Sequence, residues 1–565
     1  MKDEKGYWVR SMEMISPGDL YMIEINNEKK LPDPASLLQP EGVHGYSQAY
    51  DLNSYHWTDS SWQGLSDENI FYELHTGTFT GQGNFQGIAE KIDYLLDLGV
   101  NSIEIMPVAA FPGERNWGYD GVFPFAVHAS YGGPAALQKL VNTCHNKGMA
   151  VFLDVVYNHL GPEGNYLNEF GPYFTDIYQT PWGSAINFDG PWSDGVRDFY
   201  IENMLMWLRD FHIDGLRLDA VHAIKDFSAN HIVKSLREKA DELEKMTGKR
   251  YKLIGEIDLN DRRFIDEPGS GGYGLDKQWC DEFHHSLHSL VTGEKNGYYA
   301  DFGDLSHVVK AFNSAYVYDG IWSPHRKKTF GSSTSEIPGN KFVVFLQNHD
   351  HVGNRMAGDR MGKLAGFETL KLLAGAMFIS PFDPLFFMGE EYNEPNPFLY
   401  FTSHTDEELG KLVSKGRREE FPDFIGSEFP DPQSVETFLK SCLSFDIHGE
   451  REHLFQFYRE LIRLKKSHPV WKDFDRSNLK ASESGEMTLL LLKKVDDKHL
   501  VAVMNFGKVT ITTMVPWIDK ISFVVLIDSA GSEWGGPREN KLTIQDDGVI
   551  SVLPSSIVIL SDVNQ

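Results

Sequence analysis

From Asn69 onward, short apolar runs of strand length alternate with amphipathic runs of helical length. Strand patterns fall at 69–75, 102–108, 150–157, 215–220, 252–257, 278–283, 341–350 and 383–391. Helical patterns occupy 87–99, 134–148 (ended by a glycine), 195–212 and 226–246, and a later one spans 454–468. Strand and helix repeating in one direction require a parallel sheet, because each helix must carry the chain back to the starting edge. Eight such units favour closure into an α/β fold of the (β/α)8 TIM-barrel type over an open doubly wound sheet. No GxGxxG follows the first strand, which argues against dinucleotide binding.

The flanks read differently. Residues 1–60 hold short β-like pieces and the turn-rich "LPDPASLLQPEGVHG", and form a small N-terminal β module expected to be incomplete. Residues 61–470 are assigned to the catalytic barrel. Residues 471–565, with "MTLLLLKK", "HLVAVMNF" and "SFVVLI", are read as a C-terminal antiparallel β-sandwich domain.

A net charge of −28 argues against nucleic acid or an anionic membrane surface as partner, while a neutral ligand is indifferent to it. The first residues lack the apolar core of a signal peptide, and no apolar run is long enough to span a bilayer. Cys144, Cys280 and Cys442 have neither metal spacing nor the number for a disulfide framework. A soluble cytoplasmic protein, monomer or homodimer, is expected.

In a barrel of this type chemistry gathers where the strands end. "FLDVVYNH" brings Asp154, Asn158 and His159; "GLRLDAVH" brings Arg217, Asp219 and His222; "LIGEI" brings Glu256; "FLQNHD" brings His349 and Asp350. Residues two apart on a strand share a face, so Arg217 and Asp219 point together into the barrel while Leu216, Leu218 and Ala220 face the helices. A guanidinium beside Asp219 favours the carboxylate needed for nucleophilic attack. Glu256 ends an apolar strand with no basic neighbour in sequence, a setting that favours the protonated carboxyl of a general acid. One charged and one protonated carboxyl are the working pair of a retaining glycosidase, and Asp350 would add negative charge beside a developing oxocarbenium ion. Any one of these residues alone reads more readily as a structural ion pair or a solvated strand end. Three carboxyls converging from three strands do not.

"DVVYNH", "GLRLDAVH", "GEIDLND" and "FLQNHD", in that order, resemble the four signature regions of the α-amylase family of glycoside hydrolases. The resemblance covers about residues 60–565. It implies that Asp219 is the nucleophile, Glu256 the acid/base and Asp350 the transition-state stabiliser. By the same resemblance Arg217, His159 and His349 surround the reacting sugar and Tyr119, in "NWGYDG", stacks beneath it. "LPDPASLLQPEGVHG", "NWGYDGV", "QWCDEFHHSLH" and "PFLYFTSHTDEELGKLVSKGRREEF" are similar to the branch of that family acting on maltooligosyltrehalose. This implies hydrolysis of the α-1,4 bond between a terminal trehalose and a maltooligosaccharide. A 1,4-α-glucan branching enzyme, sharing the triad, another glucan hydrolase of the α-amylase family, and an inactive glycan-binding relative are the alternatives. The resemblance also places Asp281 and His285 near substrate; His222, toward the leaving side, and Asn354, in "NHDHVGNR", are further candidate contacts.

On physical grounds alone, "KGRREEF" reads as a solvated, charged helix end. His284 and His288 have the i, i+4 spacing of a metal pair, but no HExxH and no third ligand accompany them. With no oxygen-rich calcium loop, neither a metal nor a cofactor is expected.

Overall fold

The computed structural model describes residues 15–421, 429–517 and 521–563. Eight parallel strands close into a barrel: β1 (Phe71–Leu74), β2 (Ser102–Ile105), β3 (Ala150–Val155), β4 (Gly215–Leu218), β5 (Lys252–Glu256), β6 (Lys277–Trp279), β7 (Phe342–Phe345) and β8 (Asp383–Phe387). Each strand pairs with its sequence neighbours and β8 closes on β1, as Leu385↔Phe71 and Phe387↔Glu73 show.

The period of two sorts the side chains into layers. Outward residues such as Tyr72, Ile103, Leu153, Leu216, Leu253 and Val344 join the large core beneath the helices. Inward ones form a separate apolar plug of Phe71, Phe152, Ile254, Trp279, Phe345 and Leu385. Two positions further along, Glu73, Asp154, Arg217 and Glu256 crown the plug at the C-terminal ends of their strands. Below it, Lys277 pairs with Asp383 at 2.5 Å, both almost fully buried. Gly215 opens β4 because a Cβ there would lie 2.4 Å from the Phe152 ring and 2.5 Å from the Lys252 carbonyl oxygen.

Three of the departures from the sequence reading lie close to the crown. The fifth crossover carries no α-helix: residues 257–276 form two 3-10 turns, Arg262–Phe264 and Pro268–Ser270, because "DEPGSGGYG" is rich in glycine and proline. Residues 281–283 begin the helix Asp281–Thr292 instead of ending a strand, with Asp281 and Glu282 placed favourably in its first turn. The seventh strand likewise stops at Phe345, and Asp350 lies in a five-residue helix, His349–Gly353.

The N-terminal residues form two short antiparallel pairs, Leu20–Tyr21 with Ser47–Gln48 and Ile23–Ile25 with Lys29–Leu31; residues 1–14 lie outside the described residues. At the other end, a five-stranded antiparallel sheet has the order β9 (Leu479–Glu483), β10 (Thr488–Val495), β11 (Lys498–Asn505), β15 (Ser556–Ser561), β13 (Val524–Asp528). One face packs on a second pair, β12 (Ile511–Met514) with β14 (Val549–Val552), around Val501, Val503, Ile550 and Leu560. The opposite face, with Leu489, Leu491, Ala502, Ile557 and Ile559, merges into the core of the barrel helices. No helix among the described residues is long and apolar enough to cross a membrane.

Candidate active site

Arg217 is the hub of the crown. It is fully buried, and its guanidinium lies 4.2 Å from the Trp279 ring centre. Its Nη1 donates to Asp154 Oδ2 at 2.6 Å and Asp219 Oδ1 at 3.0 Å, and its Nη2 lies 2.8 Å from Glu256 Oε2. Burial opposes the charge, but Asp154, Glu256 and Asp219 hold the guanidinium well above the ordinary arginine range. The contact with Glu256 corrects the sequence reading. Glu256 has no basic neighbour along the chain, yet β4 and β5 are hydrogen-bonded neighbours in register, and the arginine reaches across to it.

Each carboxyl has a second support. Asn158 Nδ2 donates to Asp219 Oδ2 at 2.8 Å and to the Asp219 carbonyl oxygen at 3.0 Å. The Ala220 N–H donates to Glu256 Oε2 at 2.8 Å. Ala220 can do so because the chain turns sharply after Asp219, with φ of +37° at Ala220, a conformation unfavourable for a residue with a Cβ. The expected strand alternation therefore holds as far as Asp219, and Ala220 serves the site through its backbone.

On the other side of Arg217, Tyr119 donates its hydroxyl to Asp154 Oδ2 at 2.6 Å and stacks on His349 at 5.1 Å. Burial pushes Asp154 up to about 7 against the pull of Arg217. His159 bridges the Asn158 side chain and the Tyr119 carbonyl (3.1 Å), and packs flat against Trp182. His349 Nδ1 pairs with Glu73 Oε1 at 2.5 Å, while its own backbone N–H donates to Glu73 Oε2 at 3.0 Å. Burial alone would lower the imidazole, but Asp350 and Glu73 raise it to about 10, so it is cationic at neutral pH.

Asp350 lies 3.4 Å from His349 Nε2 and accepts from Asn354 Nδ2 at 3.0 Å. It faces a cleft of about 520 Å3 lined also by Glu256, Asp281, His285, Tyr298 and Asn354. Burial and the surrounding carboxyls of Glu256, Asp258 and Asp350 push Asp281 well above the carboxylate range. His285 stacks on Tyr298, and burial lowers it to about 3, so it is neutral. His222 stands beside the cleft, its Nδ1 accepting from the Asp258 N–H at 3.3 Å.

The sequence-derived residues thus gather into two connected groups. Asp219 meets the Arg217 guanidinium directly, and Tyr119, His159 and His349 connect to it through Asp154 and Tyr119; Asp350, Asn354, Asp281 and His285 line the cleft; Glu256 belongs to both. Sequence reasoning missed Glu73, in the crown at the end of β1, and Glu104, its partner across on β2. Their signal was the one that drew attention to Arg217, a charged residue inside an apolar strand ("FYEL", "SIEI"). Glu104 is buried, and burial and Glu73 raise it well above the carboxylate range.

The metal-like histidine spacing has a different outcome. His284 bonds the Leu346 carbonyl and the Tyr299 hydroxyl, and His288 bonds Glu294 at 2.9 Å. Among the described residues no group of three or more His, Cys, Asp or Glu is arranged to hold a metal ion.

Residues 57–180 match the family description "Alpha amylase, catalytic domain". Over 468 residues the chain is 46% identical to malto-oligosyltrehalose trehalohydrolase of Saccharolobus solfataricus, covering 83% of this chain and 81% of that one. The enzyme of the same name from Arthrobacter ramosus is 44% identical over 477 residues, 83% of each chain. A crystal structure of a candidate alpha amylase from Salmonella typhimurium covers 97% of this chain and 91% of that one at 36% identity, with a TM-score of 0.87. With identity this high across more than four-fifths of each named relative, on a barrel whose crown holds the signature residues, the chain belongs to the malto-oligosyltrehalose trehalohydrolase family.

Proposed function

We propose that the protein is a retaining glycoside hydrolase that cleaves the α-1,4 bond next to the terminal trehalose of maltooligosyltrehalose, releasing trehalose and a maltooligosaccharide. The observation that carries the chemistry is the fork of Arg217, whose two terminal nitrogens hold Asp219 and Glu256. Adjacent nitrogens of one planar group suit the carboxyl spacing of about 5–5.5 Å that a retaining pair needs, rather than the wider gap that admits a water between them. In this reading Glu256 protonates the leaving trehalose oxygen as Asp219 attacks the anomeric carbon and forms the glucosyl–enzyme ester. Water then attacks that ester, with Glu256 taking its proton. Asp350 stabilises the positive charge that develops on the ring. Tyr119, His159, Arg217 and His349 surround the reacting sugar, and Asp281, His285, His222 and Asn354 contact the rest of the substrate. The substrate assignment rests on family membership.

Incubation with maltooligosyltrehalose tests the reading: free trehalose supports it, whereas new α-1,6 branches make the protein a branching enzyme and binding without turnover an inactive relative. Asp219→Asn lowers kcat by about 10^4-fold or more if Asp219 is the nucleophile. Undiminished turnover removes it from that role.

The three cysteines are free and two of them are buried, which supports a cytoplasmic setting. We assign residues 61–470 to the catalytic unit, flanked by the N-terminal module and the C-terminal β domain, in a monomer or homodimer.

A further inference from the structure

The short helix that carries Asp350 cannot hold its own position. Five residues, His349–Gly353, make too few intrahelical bonds to offset the cost of nucleating a helix, so its placement depends on contacts from outside. At its start, the Asn348 side chain accepts from the His351 N–H at 3.0 Å, and Glu73 accepts from the His349 N–H. At its end, Gly353 presents one of the carbonyls that a helix terminus leaves unpaired.

That carbonyl is bonded from a distant part of the chain. Arg417, near the end of the helix Glu407–Glu419, donates from Nη2 to the Gly353 oxygen at 2.7 Å. The arginine side chain is only 11% exposed. Its guanidinium lies 5.2 Å from the Tyr400 ring and 5.0 Å from the Phe421 ring, and Nη1 pairs with Glu420 at 2.5 Å. The helix end expected of "KGRREEF" is solvated at Lys415, Arg418, Glu419 and Glu420, and Arg417 is the residue that docks. The far end of the helix is tied down as well: Glu163, almost fully buried on the loop after β3, accepts from the Thr405 and Asp406 N–H groups at 3.1 Å. The helix is thus strapped between the β3 loop and the end of the Asp350 helix. Gly353 is held from behind too, since a Cβ there would lie 2.1 Å from the Trp117 ring, and Trp117 packs edge-on to His349.

We infer that Arg417 is a positioning residue for Asp350, acting through the Gly353 carbonyl. Resting on the reading of Asp350 as transition-state stabiliser, this adds a residue from outside the signature regions to the machinery of the reaction. Asp350 is half-open to the cleft, with Asn354 and His349 alone among the described residues bonded to its carboxylate, so the backbone beneath it decides where its charge stands. A displacement of about 1 Å at such a group costs on the order of 100-fold in rate.

The test is steady-state kinetics of trehalose release from maltooligosyltrehalose by the full chain and its Arg417→Met, Arg417→Lys and Asp350→Asn variants, with the unfolding midpoint of each. Arg417→Met keeps the packing but not the donor, and is expected to lower kcat about 10- to 100-fold with KM within about threefold of wild type. Arg417→Lys, which can still donate, recovers part of that loss. A variant that raises KM at unchanged kcat would make Arg417 a substrate contact, and unchanged kinetics in both Arg417 variants would give it no part in the reaction. Either result overturns the inference. Wild-type turnover in Asp350→Asn would instead remove the reading of Asp350 on which it rests. Should Arg417→Met fail to fold, Arg417→Lys alone decides: a lowered kcat at constant KM supports the inference, and wild-type kinetics refute it.

Discussion

The pair of His349 and Glu73 makes stability depend on pH in a direction the structure fixes. Both side chains are 1% exposed, and the imidazole is raised from its ordinary 6.5 to about 10. At about 1.4 kcal/mol per unit, that lift corresponds to roughly 5 kcal/mol of preference for the charged form, divided between Asp350 and Glu73. Asp350 remains in a Glu73→Gln variant and glutamine still accepts a hydrogen bond, so the loss should fall near about 3 kcal/mol at pH 7, the low end for breaking a buried pair. The group is a histidine whose folded value lies above its unfolded one. Its contribution is therefore complete below about pH 6.5 and disappears as pH rises through about 10. Denaturant unfolding followed by tryptophan fluorescence at pH 7, 8.5 and 10.5 should show wild type and variant separated at pH 7 and converging at pH 10.5. Burial lowers Lys465 to about 7 and Lys252 and Lys493 to about 8, but these lysines titrate in both proteins and cancel in the difference. A separation that stays constant over this range would show that His349 is not cationic in the fold.

Gly353→Ala should cost about 1–3 kcal/mol in stability, because its methyl group meets the Trp117 ring, and should lower turnover by displacing Asp350; a melting curve and an initial rate read the two effects. Lys277→Met should destabilise the fold by about 3–5 kcal/mol in denaturant titrations, since it leaves Asp383 buried without its cation. Lys277→Met with Asp383→Leu should recover most of that loss, because removing both charges also removes the cost of burying them.

Much of this architecture could be read along the chain, because a parallel barrel writes each strand as a local apolar run with its functional residue at one end. Arg217 and Asp219 were legible because a strand alternates sides, so two numbers two apart settle who is whose neighbour. The surroundings of Glu256 were not legible: its cation comes from β4, and lateral neighbours in a sheet leave no mark in local sequence. The end of β7 was misjudged for a related reason. "FLQNHD" continues the strand pattern, and only the Asn348 cap and the bonds to Glu73 and Arg417 turn its last residues into a helix. "KGRREEF" has the composition of a solvated surface and most of it is one; Arg417 turns inward, between the Tyr400 and Phe421 rings and onto a carbonyl more than sixty positions earlier in the chain.

The face that β15 presents to the barrel has a consequence for how the chain is made. Helix Phe367–Ile379 is buried on nearly every side, and at Gly375 the side chain of Ile557 on β15 comes close enough that a Cβ would lie 2.7 Å from it. β15 is also an inner strand of its sheet, between β11 and β13. During synthesis the helix leaves the ribosome roughly 10–35 s before its cover, at about 5–20 residues per second. For that interval a nascent chain with all eight barrel strands already made still displays an apolar helix, and it is then that a chaperone, or another nascent chain, competes for it.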